Sequence, residues 1–169
     1  MVRVPRMRHT REAVLERTQR EFDTLDDLVA QIGAGDWHRP VPRPETRDPW
    51  TIKDALAHIV YWKLHTIRVI RGERRPPELR GLDVSRLNKR IYEEWRDRAP
   101  EDVIGWHRQV HVLALQALTE RPPEWFTRRE RAEGWPFDFD GHSAAHRRKD
   151  IERALGGAPP SSGAPNQAE

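Results

Sequence analysis

Four long segments of this chain carry apolar residues at steps of three and four positions, and no segment alternates apolar and polar residues as a surface strand does. In the first segment, from about residue 10 to 32, the repeating apolar positions are Leu15, Phe22, Leu25, Val29 and Ile32. Charged residues fill the positions between them, so one helical face is apolar and the other is solvated. This pattern predicts an all-α protein.

Breaks rich in proline and glycine separate the predicted helices. The second helix begins after Thr51, a residue that caps helix N-termini, and Asp54 stands where a capping-box acid would. The next long helix runs from Pro100 to about Glu120, the last runs over about 142–155, and a shorter helix is expected at about 83–98. Helices of ~15–25 residues span roughly 22–38 Å. We therefore expect an antiparallel four-helix bundle with one extra short helix.

The 169 residues fit a single domain with irregular ends. We expect a flexible N-terminus over 1–9, the bundle over 10–155, and a disordered Gly/Pro/Ser tail over 156–169. The chain has no cysteine, which excludes disulfides and thiolate ligands and suits a reducing cytoplasm. No apolar run approaches the ~20 residues needed to span a bilayer. The expected protein is cytoplasmic and makes no membrane contact.

Positive charge is spread along the chain instead of being gathered in one region. Lys and Arg number 30 against 27 Asp and Glu, a net charge of +3. The densest basic stretch is 3–20, and elsewhere arginines are interleaved with acids. Proteins that bind nucleic acids usually concentrate their Lys and Arg residues on one face. The distribution favours solvated helix faces, and we expect no nucleic-acid partner.

Two histidine pairs have the i, i+4 spacing that places side chains next to each other on a helix. His142 and His146 open the last predicted helix, and both imidazoles can reach one metal ion such as zinc. His107 and His111 form the second pair, on the helix that starts at Pro100. For this second pair we favour a polar stripe whose imidazoles hydrogen-bond across the bundle. Spacing alone leaves either pair as a possible ligand set.

A further histidine, His58, lies in an otherwise apolar stretch of the second helix. Asp54, Trp62 and His65 fall on the same edge of that helix, which either lines a cavity or forms a seam between helices. An aromatic connection over 121–141 follows the third long helix. Its Trp135 and Phe137 either wall an apolar pocket or close the end of the core.

Several segments, among them "PWTIKDALAHIVYW", "LNKRIYEEWRDRAPEDVIGW" and "GHSAAHRRKDI", together resemble the DinB-like four-helix bundles, and within them the ClbS/DfsB branch. The most specific parts are W-x(7)-H-x(3)-W, formed by Trp50, His58 and Trp62, and N-x(3)-Y, formed by Asn88 and Tyr92. The similar segments extend from about residue 12 to 155.

The resemblance implies a three-histidine site, whose matching positions are His58, His142 and His146. It implies a divalent metal such as zinc or nickel, which would be suited to polarising a substrate or activating water. Arg147 departs from the pattern, because many members of the superfamily have an apolar residue after the second histidine.

The function expected from this resemblance is an enzyme acting on a reactive small molecule, in resistance or biosynthesis, by hydrolysis or by addition of water or a thiol. His58, His142 and His146 would be its catalytic residues, and Asp54, Trp62, His65, Trp135 and Phe137 would line the substrate pocket. The alternative is a non-catalytic module that binds and sequesters the compound. A homodimer is possible.

Overall fold

The computed structural model describes residues 10–42, 47–127, 139 and 142–156, without the side chains of residues 127 and 142–146. Six helices cover most of this part: α1 (Arg11–Gln31), α2 (Ile52–Arg71), α3 (Val84–Trp95), α4 (Pro100–Thr119), α5 (Pro123–Thr127) and α6 (His142–Gly156). Across the described ranges the only strand-like pairing is an isolated bridge between Pro40 and Thr51. The prediction of an all-α bundle is confirmed. No helix of the described part is long and apolar enough to cross a membrane.

Local capping chemistry sets the helix ends. Thr51 starts α2 with a capping box, in which its hydroxyl accepts from the Asp54 amide and the Asp54 carboxylate accepts from the Thr51 amide. Asp83 is the N-cap of α3, and its side chain accepts from the Arg86 amide at 2.8 Å. Gly72 ends α2 with φ +71°, a left-handed conformation that glycine adopts without strain. These boundaries agree with the predicted ones because they depend on neighbouring residues only.

Helix α2 is the centre of the bundle. Each residue from Ile52 to Tyr61 is buried, on every side of the helix, because α3, α4 and α6 all pack against it. Apolar side chains such as Leu56 and Ile59 form the core with residues of α1 and α4. A helix buried all round exposes no solvated face along that part of its length. Polar side chains in this part of α2 are therefore held inside the protein.

Contacts between helices fix their directions. Helices α1 and α4 run antiparallel, because Arg108 pairs with Asp26 while His111, one turn later, contacts Gln19. Helix α6 runs antiparallel to α2, because Arg39 links the start of α2 to the end of α6. The Arg39 carbonyl accepts from the Ile52 amide, and the Arg39 guanidinium donates to the carbonyls at the end of α6. Helices α2 and α4 run in the same direction. The intervening segment, which includes α3, returns the chain to the end at which α2 began.

The structure adds one element to the prediction. The short helix α5 lies within the segment 121–141 that we expected to be an aromatic connection. Pro123 occupies its first position, where a missing amide hydrogen costs no helical bond. Trp125, Phe126 and Phe139 are buried in the core. Trp135 and Phe137, together with the predicted flexible N-terminus (1–9) and all of the predicted tail after Gly156, lie outside the described residues.

Candidate functional site

His58 lies in the second turn of α2 and is 5% exposed. Two indole rings flank its imidazole. The centroid of Trp50 is 4.9 Å from that of His58 at an interplanar angle of 59°, and Trp62, one turn further along α2, contacts it edge-on at 6.2 Å. Trp50 directly precedes the capping box of α2, so the start of the helix positions this ring. The imidazole is therefore held in a largely aromatic environment.

Helix α3 contributes two residues to the same place. The indole nitrogen of Trp62 donates a hydrogen bond of 3.2 Å to the Asn88 side-chain oxygen. The Tyr92 ring stacks nearly parallel to Trp50, with centroids 6.3 Å apart. Asn88 and Tyr92 are four residues apart and therefore share a helical face. Trp50, His58, Trp62, Asn88 and Tyr92 are hereafter called the His58 site, and they are the residues of the two motifs that carried the resemblance.

Asp54, a predicted pocket residue, is committed to local structure. Its carboxylate accepts from the Thr51 amide at 2.9 Å, from the Thr51 hydroxyl at 2.8 Å and from the Lys53 ammonium at 3.0 Å. The Lys53 ammonium also donates to the carbonyls of Trp95 and Arg96, which ties α2 to the end of α3. Three donors already surround the Asp54 carboxylate, so its main role is to start α2 and anchor Lys53.

Asp54 nevertheless affects the edge of the His58 site. Burial raises the pKa of the Tyr92 phenol above its usual range, and the negative charge of Asp54 raises it further. At neutral pH the Tyr92 hydroxyl is therefore protonated and available as a hydrogen-bond donor.

His65 lies one step outside the His58 site. Its ring contacts the Trp62 indole edge-on, with the two ring centroids 5.3 Å apart. Burial lowers the pKa of His65, and the positive charges of Arg75 and Arg68 lower it further. The imidazole is thus held neutral and supports the Trp62 indole.

The predicted partners of His58 in the last helix are only partly described. His142 and His146 stand in the first two turns of α6, and their side chains lie outside the described residues. Measured from the end of the bundle at which α2 begins and α6 ends, His58 lies about 9 Å along α2 and His146 lies about 13 Å along α6, at 1.5 Å per residue. His142 is one turn further. The backbone therefore brings His58 and His146 to similar heights on packed helices.

The described residues contain no group of three His, Cys, Asp or Glu side chains that could hold a metal ion. His58 supplies one imidazole from this part of the chain. The donor chemistry of the complete predicted set, three neutral imidazoles, is that of borderline divalent ions such as Zn²⁺. The three-histidine metal site stays a prediction.

A second polar region, which the sequence interpretation missed, lies deeper in the bundle. Lys63 on α2 is 7% exposed and Glu21 on α1 is 8% exposed. Arg148 of α6 donates to Glu21 at 2.7 and 3.2 Å, and these bonds raise the pKa of Arg148. With His107 and His111, these residues form what is hereafter called the buried polar cluster. Its signal in the sequence was Lys63 itself, which interrupts the apolar stripe between Ile59 and Ile67.

His107 and His111 belong to this cluster and not to the His58 site. Both rings stack on Phe22 of α1, at 4.8 and 3.7 Å between centroids. His111 is hydrogen-bonded to the Gln19 side chain at 3.0 Å, and the Nε2 atom of His107 lies 3.4 Å from Asp26. The His111 bond matches the polar stripe that the sequence favoured, whereas neither ring nitrogen of His107 has a hydrogen-bond partner in the described part of the chain.

Burial and the positive charge of Lys63 hold both imidazoles neutral. Burial is the larger cause and Lys63 the second; together they lower the pKa of His107 to about 3 and that of His111 to about 4. Burial also lowers the pKa of Lys63 to about 8, although the nearby Glu21 carboxylate opposes the shift. The cluster therefore holds two cations, Lys63 and Arg148, two neutral imidazoles and the Glu21 carboxylate at pH 7.

The fold is that of a known class of helical bundle. The family model described as "Mycothiol maleylpyruvate isomerase N-terminal domain" matches residues 18–136. The chain belongs to this family, which lies within the DinB-like superfamily. The matched residues include the whole His58 site and end before His142. No curated protein sequence matches this chain.

Two solved structures share the fold. An uncharacterised protein from Escherichia coli UTI89 has a TM-score of 0.71 and 12% identity, over 88% of this chain and 94% of that one. The colibactin self-resistance protein ClbS, solved in complex with double-stranded DNA, has a TM-score of 0.64 and 11% identity, over 88% of this chain and 95% of that one. Both confirm the predicted DinB-like bundle and its similarity to ClbS.

The ClbS complex contradicts one prediction. We expected no nucleic-acid partner for a bundle of this kind, on the ground that its positive charges are dispersed. A protein with the same fold binds double-stranded DNA in its crystal structure, so the expectation is wrong. Dispersal of charge along the sequence does not exclude DNA binding, because DNA contacts the folded surface, where basic side chains distant in sequence lie side by side.

Proposed function

We propose that the protein is an enzyme that acts on a reactive, electrophilic small molecule at the His58 site. The observation that carries the proposal is that two indole rings, those of Trp50 and Trp62, flank one buried imidazole, while Asn88 and Tyr92 of α3 hold those rings. Membership of a family named for an isomerase of a small organic acid supports it, as does the fold shared with a self-resistance protein.

Each residue of the site has a role in this proposal. Trp50 and Trp62 exclude water and offer flat apolar faces to the substrate. Asn88 holds the Trp62 indole in place, and the Tyr92 hydroxyl donates a hydrogen bond to an oxygen of the substrate. His58 accepts or donates a proton, or serves as a ligand to a metal ion.

The proposal includes a divalent metal held by His58, His142 and His146. Such an ion, when bound, polarises a substrate oxygen or lowers the pKa of a coordinated water or thiol. Support comes from the antiparallel packing of α6 on α2, which gives His58 and His146 similar heights, and from the preference of Zn²⁺ and Ni²⁺ for imidazole.

Elemental analysis of protein purified without a histidine tag tests the metal. We expect about one ion per chain in the wild type and little in a His58→Ala/His142→Ala variant. A His38→Ala variant is the control, because His38 is exposed and lies in the loop before α2. A wild-type protein without stoichiometric metal would contradict this part of the proposal.

Mass spectrometry with electrophilic compounds, in the presence of water alone or of an added low-molecular-weight thiol, tests the enzyme activity. Hydrolysed, isomerised or thiol-added product that disappears in the double variant supports the proposal. Full activity in that variant means that the site is wrongly assigned. Tight binding without product supports the alternative, a sequestering module.

DNA binding is a second candidate function. The observation in its favour is the DNA complex of ClbS, together with the strongly basic composition of residues 68–90. This segment has eight Lys or Arg against three Asp or Glu, a net charge of +5, and Arg74, Arg80 and Arg86 within it are exposed. Such a surface suits phosphate contacts that do not depend on base sequence.

A gel shift with double-stranded DNA at low and physiological salt tests this candidate. We expect affinity to fall steeply with salt, and to fall further in an Arg74→Gln/Arg86→Gln variant. The control is Arg20→Gln/Arg108→Gln, which removes the same charge from exposed positions on α1 and α4. Equal loss in both variants would argue against a defined DNA surface.

A further inference from the structure

A cavity separate from the His58 site opens between α2, the 3₁₀ turn Pro77–Leu79, α3 and α4. Its volume is about 520 Å³, within the ~300–1,000 Å³ typical of small-molecule sites. Helix α3 separates the two places: Asn88 and Tyr92 face the His58 site, whereas Leu87, Ile91 and Glu94 line the cavity. None of the residues of the His58 site lines it.

One wall of this cavity is formed by aromatic and aliphatic side chains. Trp95 at the end of α3 and Trp106 on α4 stack with their centroids 4.0 Å apart and their planes within 2°. The Arg98 guanidinium lies 4.8 Å over the Trp95 ring. The buried side chains of Leu87 and Ile91 continue the wall. A wall of this kind packs against an aromatic or branched aliphatic group.

A tyrosine side chain contributes a hydroxyl at the cavity. Tyr61 on α2 is 8% exposed and lines it. Among the described residues, nothing hydrogen-bonds to its phenol oxygen. Burial raises the pKa of Tyr61, and the charges that act on the phenol come from Arg68 and Arg75, then from Glu94 and Glu78. The hydroxyl is therefore a protonated donor on a largely buried side chain, with charges of both signs close by.

Four of the five charged side chains that line the cavity have no ionic partner in the described part of the chain, and the fifth, Glu93, lies 4.0 Å from Lys89. Arg68 and Arg90 supply positive charge, and Glu78 and Glu94 supply negative charge. No ion pair within 4.0 Å joins any of these four to another described residue. Charges of both signs that are left uncompensated at one cavity fit a ligand that carries both signs itself.

We propose that this cavity binds a zwitterionic small molecule of the amino-acid or short-peptide class, with an aromatic or branched aliphatic side chain. The carboxylate accepts from the Tyr61 hydroxyl and the Arg68 guanidinium, whose planar fork matches a carboxylate. The ammonium lies between Glu78 and Glu94, and the side chain packs on Trp95 and Trp106. This site is independent of the function proposed for the His58 site.

Calorimetry with the dipeptide Phe-Leu, its N-acetyl form and its C-terminal amide tests the proposal. We expect the zwitterion to bind and each blocked form to bind roughly tenfold more weakly, the loss of one charged hydrogen bond. Arg68→Gln should remove the discrimination against the amide, and Glu94→Gln the discrimination against the acetyl form. Arg20→Gln and Glu16→Gln, exposed positions on α1, should change neither. His58→Ala should bind Phe-Leu like the wild type, which separates this test from that of the enzyme activity.

Three results would overturn the proposal. Blocked and zwitterionic forms that bind equally would show a merely apolar groove. Discrimination that survives in both charge variants would place the ligand elsewhere. No binding of any of the three compounds at millimolar concentration would show that the cavity does not take this class.

Discussion

The bundle buries imidazoles in two regions that differ in what surrounds them. His58 lies among the rings of Trp50 and Trp62, whereas His107 and His111 lie among charges: Lys63 acts on both, and a carboxylate of α1 approaches His107. Helix α2 supplies residues to both regions, and its His58 and Lys63 are five positions apart. In the buried polar cluster the polar groups link α1, α4 and α6. In the His58 site the Trp50 and Trp62 rings flank the imidazole and link fewer helices than the polar cluster does. We therefore assign the chemistry to the His58 site.

The largest predicted effect is a loss of stability on acidification, which arises in the buried polar cluster. The folded-state pKa values of His107 and His111 lie below the ordinary 6.5, so the unfolded chain binds protons first. Stability is then fully present above about pH 6.5 and falls as the pH drops towards 3, by up to ~1.4 kcal/mol per pH unit for each histidine. Urea unfolding at pH 7 and pH 4.5 measures this slope. A His107→Gln variant should have a shallower slope, and an unchanged slope would contradict the assignment.

Removing the carboxylate of the buried polar cluster should have the next largest effect. Glu21→Gln leaves the half-buried Arg148 and the buried Lys63 without their common counter-charge, so we expect a loss of about 3 kcal/mol in the free energy of unfolding. Glu16→Gln is the matched control on the same helix. Its exposed pair with Arg20 should contribute less than about 1 kcal/mol. Equal effects in denaturant titrations would mean that the cluster is not electrostatically coupled.

Lys63 predicts an alkaline counterpart. Because burial lowers its folded pKa to about 8 from 10.5, the unfolded chain binds more protons between these values, and stability rises with pH across that interval. A Lys63→Met variant should lack this rise. At pH 7 its stability should lie within about 2 kcal/mol of the wild type, since replacing a buried cation with an apolar side chain removes a desolvation cost. A rise that persists in the variant would place the titrating group elsewhere.

The smallest effect is expected in the His58 site. Trp62→Phe keeps a ring beside His58 but removes the hydrogen bond to Asn88, so we expect a loss of about 1 kcal/mol in stability. Adding Asn88→Ala to this variant should cost little more, and a double-mutant cycle measures the coupling. A proportionally larger loss of activity than of stability would support a role of the site in chemistry. The opposite ratio would make it another structural contact.

Some of the molecule follows from sequence because local interactions decide it. The capping box of Thr51 and Asp54 and the proline at the start of α4 were predicted where the structure has them. The helix count was incomplete, since α5 is too short to have an apolar period of its own. His58 was identified as a site residue by its place in a motif, but the approach of Asn88 and Tyr92 required α3 to fold back onto α2.

The sequence by itself determined the helical class, the helix ends and the candidate histidines, because periodicity, capping and residue chemistry act over a few neighbouring positions. Tertiary structure decided which of these residues meet. It buried Lys63 beside two imidazoles and left an unpaired set of charges around Tyr61. The physical reason is that burial and electrostatic coupling depend on the residues that pack together in space, and helices far apart in sequence supply them.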